Sequence, residues 1–186
     1  MNLPNKLTLL RICMTPVFIA CFYIPDRSWS LFAALLFLIA YVTDIFDGQY
    51  ARKHNIVTNF GKLMDPIADK LLTAAAFVML VDAGLLSPIP TIIVLAREFI
   101  ISGFRLVAVE SGNVIAASWL GKIKTVSQCV AVLLVLLADY FSGLLCIGSV
   151  DVLHLIAQGI IWISVIFTIW SGVDYIVKNR KSVDFN

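Results

Sequence analysis

The sequence predicts an all-α integral membrane protein with six transmembrane helices. Of its 186 residues, 60% are hydrophobic and only 14% are charged. A soluble domain of this size keeps a large wetted surface and cannot bury so much apolar area. The apolar residues lie in continuous runs rather than in alternation, which disfavours a transmembrane β-barrel. Helices are then the structure that satisfies the backbone hydrogen bonds in lipid.

Six apolar stretches are each long enough to span a bilayer, which takes roughly 20 helical residues. The connections between them are short and leave no room for a second domain, so residues 1–186 are expected to form a single membrane domain. The polar start, Met1–Thr8, lacks the features of a cleaved signal peptide, and Asn2–Leu10 is expected to begin as a short interfacial helix. The predicted spans are Leu7–Ile24, Trp29–Tyr50, Leu63–Asp82, Ile89–Val109, Ile123–Phe141 and Val152–Val177.

The charges in the connections predict that both termini face the cytoplasm. Arg27 is the only cation on one side of the predicted spans. By the positive-inside rule, the side rich in Lys and Arg is cytoplasmic. These basic residues mark one membrane face rather than a groove, so the sequence gives no support for nucleic-acid binding. The cytoplasmic cations near the two termini are Lys6, Arg11, Lys178, Arg180 and Lys181.

Four aspartates lie where membrane spans rarely carry charge. Asp44 and Asp47 are near the end of the second predicted span, and Asp65 and Asp69 are near the start of the third. An acid at the centre of a membrane helix costs roughly 2.5–3.5 kcal/mol on insertion scales, and even the lower cost near a helix end needs a functional reason. Spacings of three and four residues place each pair on one helical face. Because a short basic connection joins the two helices, their ends are expected to bring both pairs together.

Converging carboxylates predict a site for divalent metal ions. They repel each other and take up protons unless cations neutralise them, and a bound divalent ion keeps them ionised. Ligands that are all oxygen suit Mg²⁺, Mn²⁺ or Ca²⁺ rather than zinc or copper. Gly48, Ala51 and Gly61 stand beside the acids and leave room for a ligand or a backbone. Arg52, one turn beyond Gly48, is positioned to reach a phosphate at the membrane surface.

A purely structural role for the aspartates is the alternative. Any one of them can cap a helix end or pair with Lys53, Lys62 or Lys70. Pairing all four with lysines leaves the neighbouring small residues unexplained, so the sequence favours the metal site over this alternative.

This segment carries the signature of the CDP-alcohol phosphotransferases, and the chain resembles that family. The family pattern reads D-x-x-D-G-x-x-A-R and, about eight residues later, G-x-x-x-D-x-x-x-D. The six predicted spans agree with the six-helix architecture of the family, so the resemblance covers essentially the whole chain. The matching residues are Asp44, Asp47, Gly48, Ala51, Arg52, Gly61, Asp65 and Asp69, with no departure from the pattern.

The resemblance implies an enzyme that takes a CDP-linked lipid and an alcohol and releases CMP. Three stretches are closest to members that transfer a phosphatidyl group from CDP-diacylglycerol to sn-glycerol 3-phosphate. They are less specific than the aspartate pattern, so members that use serine or an inositol phosphate stay open as alternatives. The three stretches are Leu3–Arg11, Ala96–Phe99 with Gly103–Arg105, and Gly121–Thr125.

The resemblance also implies a role for each residue of the signature. Asp44, Asp47 and Asp65 would bind two metal ions, Mg²⁺ or Mn²⁺, that hold the diphosphate. Asp69 would act as the general base on the attacking hydroxyl and would also touch the second metal. Asn5 would approach the cytidine, although an N-cap near the start of the first helix explains it equally well. The expected CDP pocket is Asn5, Gly48, Ala51, Arg52 and Gly61.

A phosphorylated acceptor needs a second, cationic site apart from the metals. Arg97 and Arg105 are eight residues apart, which places them within about 80° of each other around one helix. Lys122 and Lys124 follow across the next connection, and Thr8 is expected to add a hydroxyl. These side chains predict a cup that binds the acceptor phosphate.

The cationic residues also have simpler interpretations. Lys122 and Lys124 fit an ordinary cytoplasmic loop under the positive-inside rule. Arg97 stands next to Glu98 inside an apolar run, where the two side chains can form a brace that only orients helices. Both interpretations stay open from the sequence.

A small cation transporter is the main rival to an enzyme, because acids within a membrane suit an ion path. The acids cluster at one membrane face, and the outer halves of the same spans carry no matching polar residues, so the enzyme is favoured. We expect a location in the bacterial cytoplasmic (inner) membrane with the active site facing the cytoplasm. Gly159 and Gly172 are expected to mark close helix packing, in line with the homodimers common in the family.

Overall fold

The computed structural model describes residues 3–26, 28–54, 59–110, 119–142 and 148–179. Within these ranges it leaves out the side chains of residues 3–5, 45–54, 59–63, 65, 66, 69, 109, 110 and 148–151. The described residues form six helices and no strand, which confirms the prediction of an all-α chain. The helices are α1 (Leu3–Cys21), α2 (Trp29–His54), α3 (Asn59–Asp82), α4 (Pro88–Glu110), α5 (Trp119–Ser142) and α6 (Gly148–Asn179).

Most helix ends match the predicted spans or extend them by up to four residues, but α1 ends at Cys21, three residues before the predicted Ile24. There the amides of residues 22–24 donate to carbonyls three residues back, in turns tighter than those of an α-helix. The largest extensions are polar or basic ends that a search for apolar runs leaves out. α1 begins at Leu3 and continues without a break through Leu10, so the expected interfacial segment is the first part of the same helix. Pro16 lies inside α1, where its missing N–H removes one backbone hydrogen bond.

The connection between α3 and α4 shows how the chain reverses direction. Gly84 has a φ of +72°, a conformation that glycine adopts without steric cost and that often ends helices. The amides of Leu85 and Leu86 both donate to the carbonyl of Leu80, at 2.9 and 3.1 Å, and so satisfy this acceptor in the last turn of α3. Pro88 then begins α4, at a position where its missing N–H costs nothing.

The six helices form a closed ring of neighbours. α1 packs against α2 and α3, α2 against α5, α5 against α6, α6 against α4, and α4 against α3. Aromatic side chains fill part of the core, where Phe18 and Phe37 have ring centroids 5.9 Å apart and Phe77 is fully buried. Because α6 packs against both α4 and α5, side chains from these three helices meet inside the ring.

Large apolar side chains cover the outside of the ring, and polar ones lie within it. Leu155, Ile166 and Trp170 of α6 are exposed, whereas Ser164 and Thr168 of the same helix are buried. Such an inverted distribution suits a lipid environment. In the described part of the chain, two helices are long and apolar enough to cross a membrane, Trp119–Ser142 and Val152–Asn179, and a shorter apolar helix covers Trp29–Asp44. The full set of six spans and the side on which the termini lie stay predictions.

Candidate active site

Asp44 is the one signature aspartate whose side chain is described. It lies on α2 with its side chain 36% exposed, and its Oδ1 accepts a hydrogen bond from Arg11 Nη1 of α1. Asp47 of α2, and Asp65 and Asp69 of α3, have side chains outside the described set, so their convergence stays a prediction. No three metal-ligating side chains meet among those that are described.

Arg11 is a site residue that the sequence did not single out. Its side chain is only 2% exposed, although the sequence pattern treats it as one more cytoplasmic cation. A buried cation needs a partner to offset its desolvation, and the carboxylate of Asp44 is that partner. Thr8, one turn earlier on α1, is also completely buried. The sequence signal for Arg11 is its place inside the first apolar run, three residues after Thr8, and this does not identify its partner.

The residues expected to bind CDP have side chains outside the described set. Gly48, Ala51 and Arg52 fall within α2, which continues to His54, and Gly61 falls within the first turn of α3. Asn5 lies in the first turns of α1. The CDP pocket therefore stays a prediction carried by the sequence pattern.

Arg97 belongs to α4, and its side chain reaches towards α6. Its Nη2 donates to Ser171 Oγ of α6 at 3.1 Å, and its Nη1 donates to Glu98 Oε1 at 3.3 Å. The aliphatic part of Arg97 passes over Gly172, where a Cβ would stand 3.2 Å from Arg97 Cγ. Its Nε is buried and has no hydrogen-bond partner among the described residues. A guanidinium presents five donors, so this one is available to a bound anion.

Lys124 is buried on α5, although the sequence allowed it to be an ordinary loop lysine. Its side chain is 5% exposed and its Nζ donates to Glu98 Oε1. The same carboxylate oxygen thus accepts from Arg97 and from Lys124. We call Arg97, Glu98 and Lys124 the cationic cluster, because they carry two positive charges and one negative charge.

The other predicted acceptor residues lie at its margin or away from it. Arg105 is exposed, and its guanidinium lies 5.8 Å from the ring centroid of Tyr175 on α6. It shares with Arg97 the side of α4 that faces α6. Lys122 is exposed and lies 5.7 Å from the ring centroid of Trp119. Of the four predicted cations, the structure therefore joins Arg97 and Lys124 through one carboxylate.

A cavity of about 380 Å³ lies between α3, α4 and α5, beside the cationic cluster. Most of its wall is apolar, with Leu71, Val94 and Phe99 among the lining residues. Its polar edge is formed by Lys70, Glu98, Ser102 and Lys124, where Lys70 Nζ donates to Ser102 Oγ. The lining residue Thr73 lies one turn along α3 from Asp69. The other α3 lining residues, Ile67, Lys70, Leu71 and Ala74, lie on a different face of the helix from Asp65 and Asp69.

The donor chemistry fits a hard divalent cation. The described member of the set is a half-exposed carboxylate held by Arg11 on one oxygen, and the other three positions are carboxylates as well. Mg²⁺ and Mn²⁺ prefer such oxygen ligands, whereas zinc prefers nitrogen and sulfur.

Comparison with known proteins gives one consistent result. A family model described as CDP-alcohol phosphatidyltransferase matches residues 1–170. The chain is 43% identical to a CDP-diacylglycerol--glycerol-3-phosphate 3-phosphatidyltransferase of Bacillus subtilis (strain 168), over 98% of this chain and 97% of the relative. Proteins of the same name from Rickettsia felis and Haemophilus influenzae are 40% and 38% identical, over 97% and 98% of this chain and 96% and 95% of the relatives.

Proposed function

Because the chain belongs to the CDP-alcohol phosphatidyltransferase family, we propose that it transfers the phosphatidyl group of CDP-diacylglycerol to sn-glycerol 3-phosphate. The products are phosphatidylglycerophosphate and CMP, so the reaction is a step of phospholipid synthesis. The observation that carries this proposal is the similarity to relatives of that one name along nearly the whole chain. The aspartate signature at 44–69 supports the same chemistry independently.

The reaction requires one bond to form and one to break at a single phosphorus atom. The acceptor hydroxyl oxygen bonds to the phosphatidyl phosphorus, and the bond from that phosphorus to the bridging oxygen of the diphosphate breaks. The hydroxyl proton passes to Asp69, and CMP leaves with the electron pair of the broken bond. A carboxylate is a weak base towards an alcohol, so proton removal accompanies attack rather than preceding it. Positioning and charge stabilisation dominate such phosphoryl transfer.

The four aspartates would hold two divalent ions, Mg²⁺ or Mn²⁺. When bound, these ions would neutralise charge on the diphosphate and on the departing CMP. Asp44, Asp47 and Asp65 serve as ligands, and Asp69 serves as the base and as a further ligand. Arg11 fixes the carboxylate of Asp44 on the α1 side. The cytidine and diphosphate are bound by Asn5, Gly48, Ala51, Arg52 and Gly61.

The acceptor phosphate binds at the cationic cluster. Arg97 has a buried Nε without a described partner, and a buried donor left unmet costs free energy that a phosphate oxygen relieves. Lys124 supplies a second positive charge from α5. Arg105 extends the cationic surface along α4, and Lys122 and Thr8 stay predicted members of the site. The adjacent cavity lies between this cluster and α3, the helix that carries Asp69.

The chain is further proposed to cross the bacterial cytoplasmic membrane six times as one domain of residues 1–186, with both termini and the active site on the cytoplasmic side. The apolar outer surface of α6 and the positive-inside pattern support this placement. CDP-diacylglycerol then reaches the site from the surrounding lipid, and the soluble acceptor arrives from the cytoplasm. A homodimer is the proposed oligomeric state.

The test is an acceptor panel on the detergent-solubilised protein. Radiolabelled glycerol 3-phosphate, serine and inositol phosphate are each supplied with CDP-diacylglycerol, with and without Mg²⁺, and CMP release is measured for the parent and for Asp69→Asn. We expect release only with glycerol 3-phosphate and Mg²⁺, and a fall of roughly 10²–10⁴-fold in the variant. Equal use of serine would refute the acceptor assignment. Failure to release CMP with any acceptor would refute the enzyme and favour an ion path.

A further inference from the structure

The carboxylate of Glu98 lies at a point where three helices meet. Its Oε1 accepts from Lys124 Nζ of α5 and, at 3.3 Å, from Nη1 of its neighbour Arg97. Arg97 in turn reaches Ser171 of α6 with its other terminal nitrogen, at 3.1 Å. Lys124 and Glu98 are 5% and 16% exposed, so these contacts are largely shielded from water. One carboxylate therefore connects α4 to α5 directly and to α6 through Arg97.

The electrostatics of this arrangement favour a positioning role. Two cations held close together in a medium of low dielectric constant repel each other strongly. The carboxylate attracts both and so allows them to stand side by side. One negative charge between two positive charges still leaves the three side chains with a net charge of +1. An anion that carries two charges at neutral pH, such as a phosphate monoester, can therefore still be attracted.

The geometry also indicates that Glu98 does not itself bind the acceptor phosphate. An anionic carboxylate is a poor contact for a phosphate, and both of its described cation contacts are made through a single oxygen. Glu98 lines the polar edge of the cavity together with Lys124, Lys70 and Ser102. It is thus close to the acceptor without offering it a donor. Its effect on the acceptor must pass through the two cations that it holds.

We propose that Glu98 is a positioning residue that holds Arg97 and Lys124 in the arrangement that binds the acceptor phosphate. This inference rests on the proposed function, since it takes the acceptor to be a phosphate monoester. The proposal predicts how loss of the Glu98 carboxylate changes the kinetic constants. Loss of the carboxylate weakens acceptor binding selectively and leaves the CDP-lipid and the chemical step nearly unchanged.

The main variant is Glu98→Gln, which keeps the shape of the side chain and removes its charge. We expect the KM for glycerol 3-phosphate to rise about tenfold or more, while the KM for CDP-diacylglycerol and kcat stay within about threefold. Glu98→Asp keeps the charge and should restore acceptor binding to within about threefold of the parent. Asp174→Asn is the matched control, because it also neutralises a carboxylate, in a pair with the exposed Lys178 outside the cationic cluster.

A double-mutant cycle tests whether Glu98 acts through Lys124. If it does, Glu98→Gln has a clearly smaller effect in a Lys124→Met background than in the parent, because side chains in contact are not additive. Equilibrium binding of radiolabelled glycerol 3-phosphate provides a readout that does not need turnover. If Glu98→Gln does not fold, Ser171→Ala removes the other anchor of Arg97 and should raise the acceptor KM about threefold without affecting the CDP-lipid.

Three outcomes overturn the proposal. Equal effects of Glu98→Gln on both substrates, or a lower melting temperature with unchanged KM values, mean that the residue only braces the helices. Full additivity in the cycle with Lys124 means that it does not act through that lysine. In all three cases a parent that still uses glycerol 3-phosphate keeps the proposed function intact. A parent that prefers serine removes the proposed function, and this inference falls with it.

Discussion

The ring contains two buried charged regions that have opposite compositions. Between α1 and α2, the cation Arg11 is paired with Asp44, where Asp47, Asp65 and Asp69 are predicted to converge. Between α4, α5 and α6, the carboxylate of Glu98 is paired with Arg97 and Lys124. In each region, one side chain pairs with groups of the opposite charge: Arg11 with a carboxylate in the first, and Glu98 with two cations in the second. The remaining charge then predicts the ligand, which is a divalent cation in the first region and a phosphate in the second.

This comparison implies that variants of the two regions fail in different ways. Loss of an acid should impair catalysis, because the proposed metal ions would act on the reacting phosphorus. Loss of a cation should impair binding of the acceptor, because its phosphate takes no part in the reaction. This difference between the two regions would be contradicted most directly if both kinds of variant changed the same kinetic parameter.

Asp44→Asn should have the largest effect. A metal ion contributes several kcal/mol of charge stabilisation, and each 1.4 kcal/mol changes a rate tenfold, so kcat should fall about a thousandfold. CMP release at saturating substrate measures this, and the KM for glycerol 3-phosphate should stay within about threefold of the parent. Asp26→Asn, in the connection before α2, is the control and should behave as the parent. If it lowers kcat as much, or if Asp44→Asn leaves kcat intact, the metal assignment is wrong.

Arg97→Ala should have the next largest effect. Truncating one partner of a buried charge pair costs about 2–5 kcal/mol, which corresponds to a rise in the acceptor KM of about thirtyfold or more. The KM for CDP-diacylglycerol should change little, and steady-state kinetics with each substrate varied in turn separates the two. Arg97→Lys keeps the charge without the planar fork and should fall between the parent and the alanine variant. Lys178→Ala removes an exposed cation of α6 and should have no effect. A fall in kcat alone would contradict the assignment of Arg97 to the acceptor.

Arg11→Lys should have a smaller effect, on the metal alone. Residues that orient metal ligands typically change metal affinity by about 10–100-fold when they are altered. We expect a rise of about tenfold in the Mg²⁺ concentration for half-maximal activity, and a parallel loss of Mn²⁺ binding in electron paramagnetic resonance spectra. Lys6→Gln, at an exposed position of the same helix, should bind Mn²⁺ as the parent does. Unchanged Mn²⁺ binding in Arg11→Lys would mean that Arg11 serves only to join α1 and α2.

Gly172→Ala should have the smallest effect, and Gly159→Ala is its matched control on the same helix. A Cβ at Gly172 stands 3.2 Å from Arg97 Cγ, whereas a Cβ at Gly159 meets nothing within 4 Å. Alanine is favoured over glycine in a helix by about 1 kcal/mol, so Gly159→Ala should raise the melting temperature with unchanged kinetics. Gly172→Ala should displace Arg97 and raise the acceptor KM about threefold. Identical kinetics in the two variants would show that the path of Arg97 over α6 is unimportant.

Local patterns made the fold class and the aspartate segment predictable. Continuous apolar runs of this length indicate helices, because backbone N–H and C=O groups must hydrogen-bond to each other in an apolar medium. The spacing of Asp44 and Asp47, and of Asp65 and Asp69, places each pair on one face of a helix for the same local reason. The helix ends were the least predictable part, since the polar residues that extend α1 and α5 resemble connections when only hydropathy is considered.

The partners of the buried charges were not predictable in this way. Lys124 resembles a loop cation, and Arg97 was compatible with either a phosphate site or a brace. In the structure, Nη1 of Arg97 pairs with Glu98, as the brace requires, while its buried Nε has no described partner and can donate to a phosphate. The two interpretations of Arg97 therefore concern different atoms of one side chain. Arg11 was missed because nothing in its own neighbourhood in the sequence identifies the helix that it faces.

The sequence by itself determined that the chain is helical, that it is unusually apolar, and that four acids stand in the pattern of its family. These features depend on composition and on spacings within a few residues. The tertiary structure alone decided which charges meet, because Arg11 and Asp44 are 33 residues apart, Glu98 and Lys124 are 26 apart, and Arg97 and Ser171 are 74 apart. Such pairs are set by the order in which helices pack around the ring, and helical periodicity carries no information about that order.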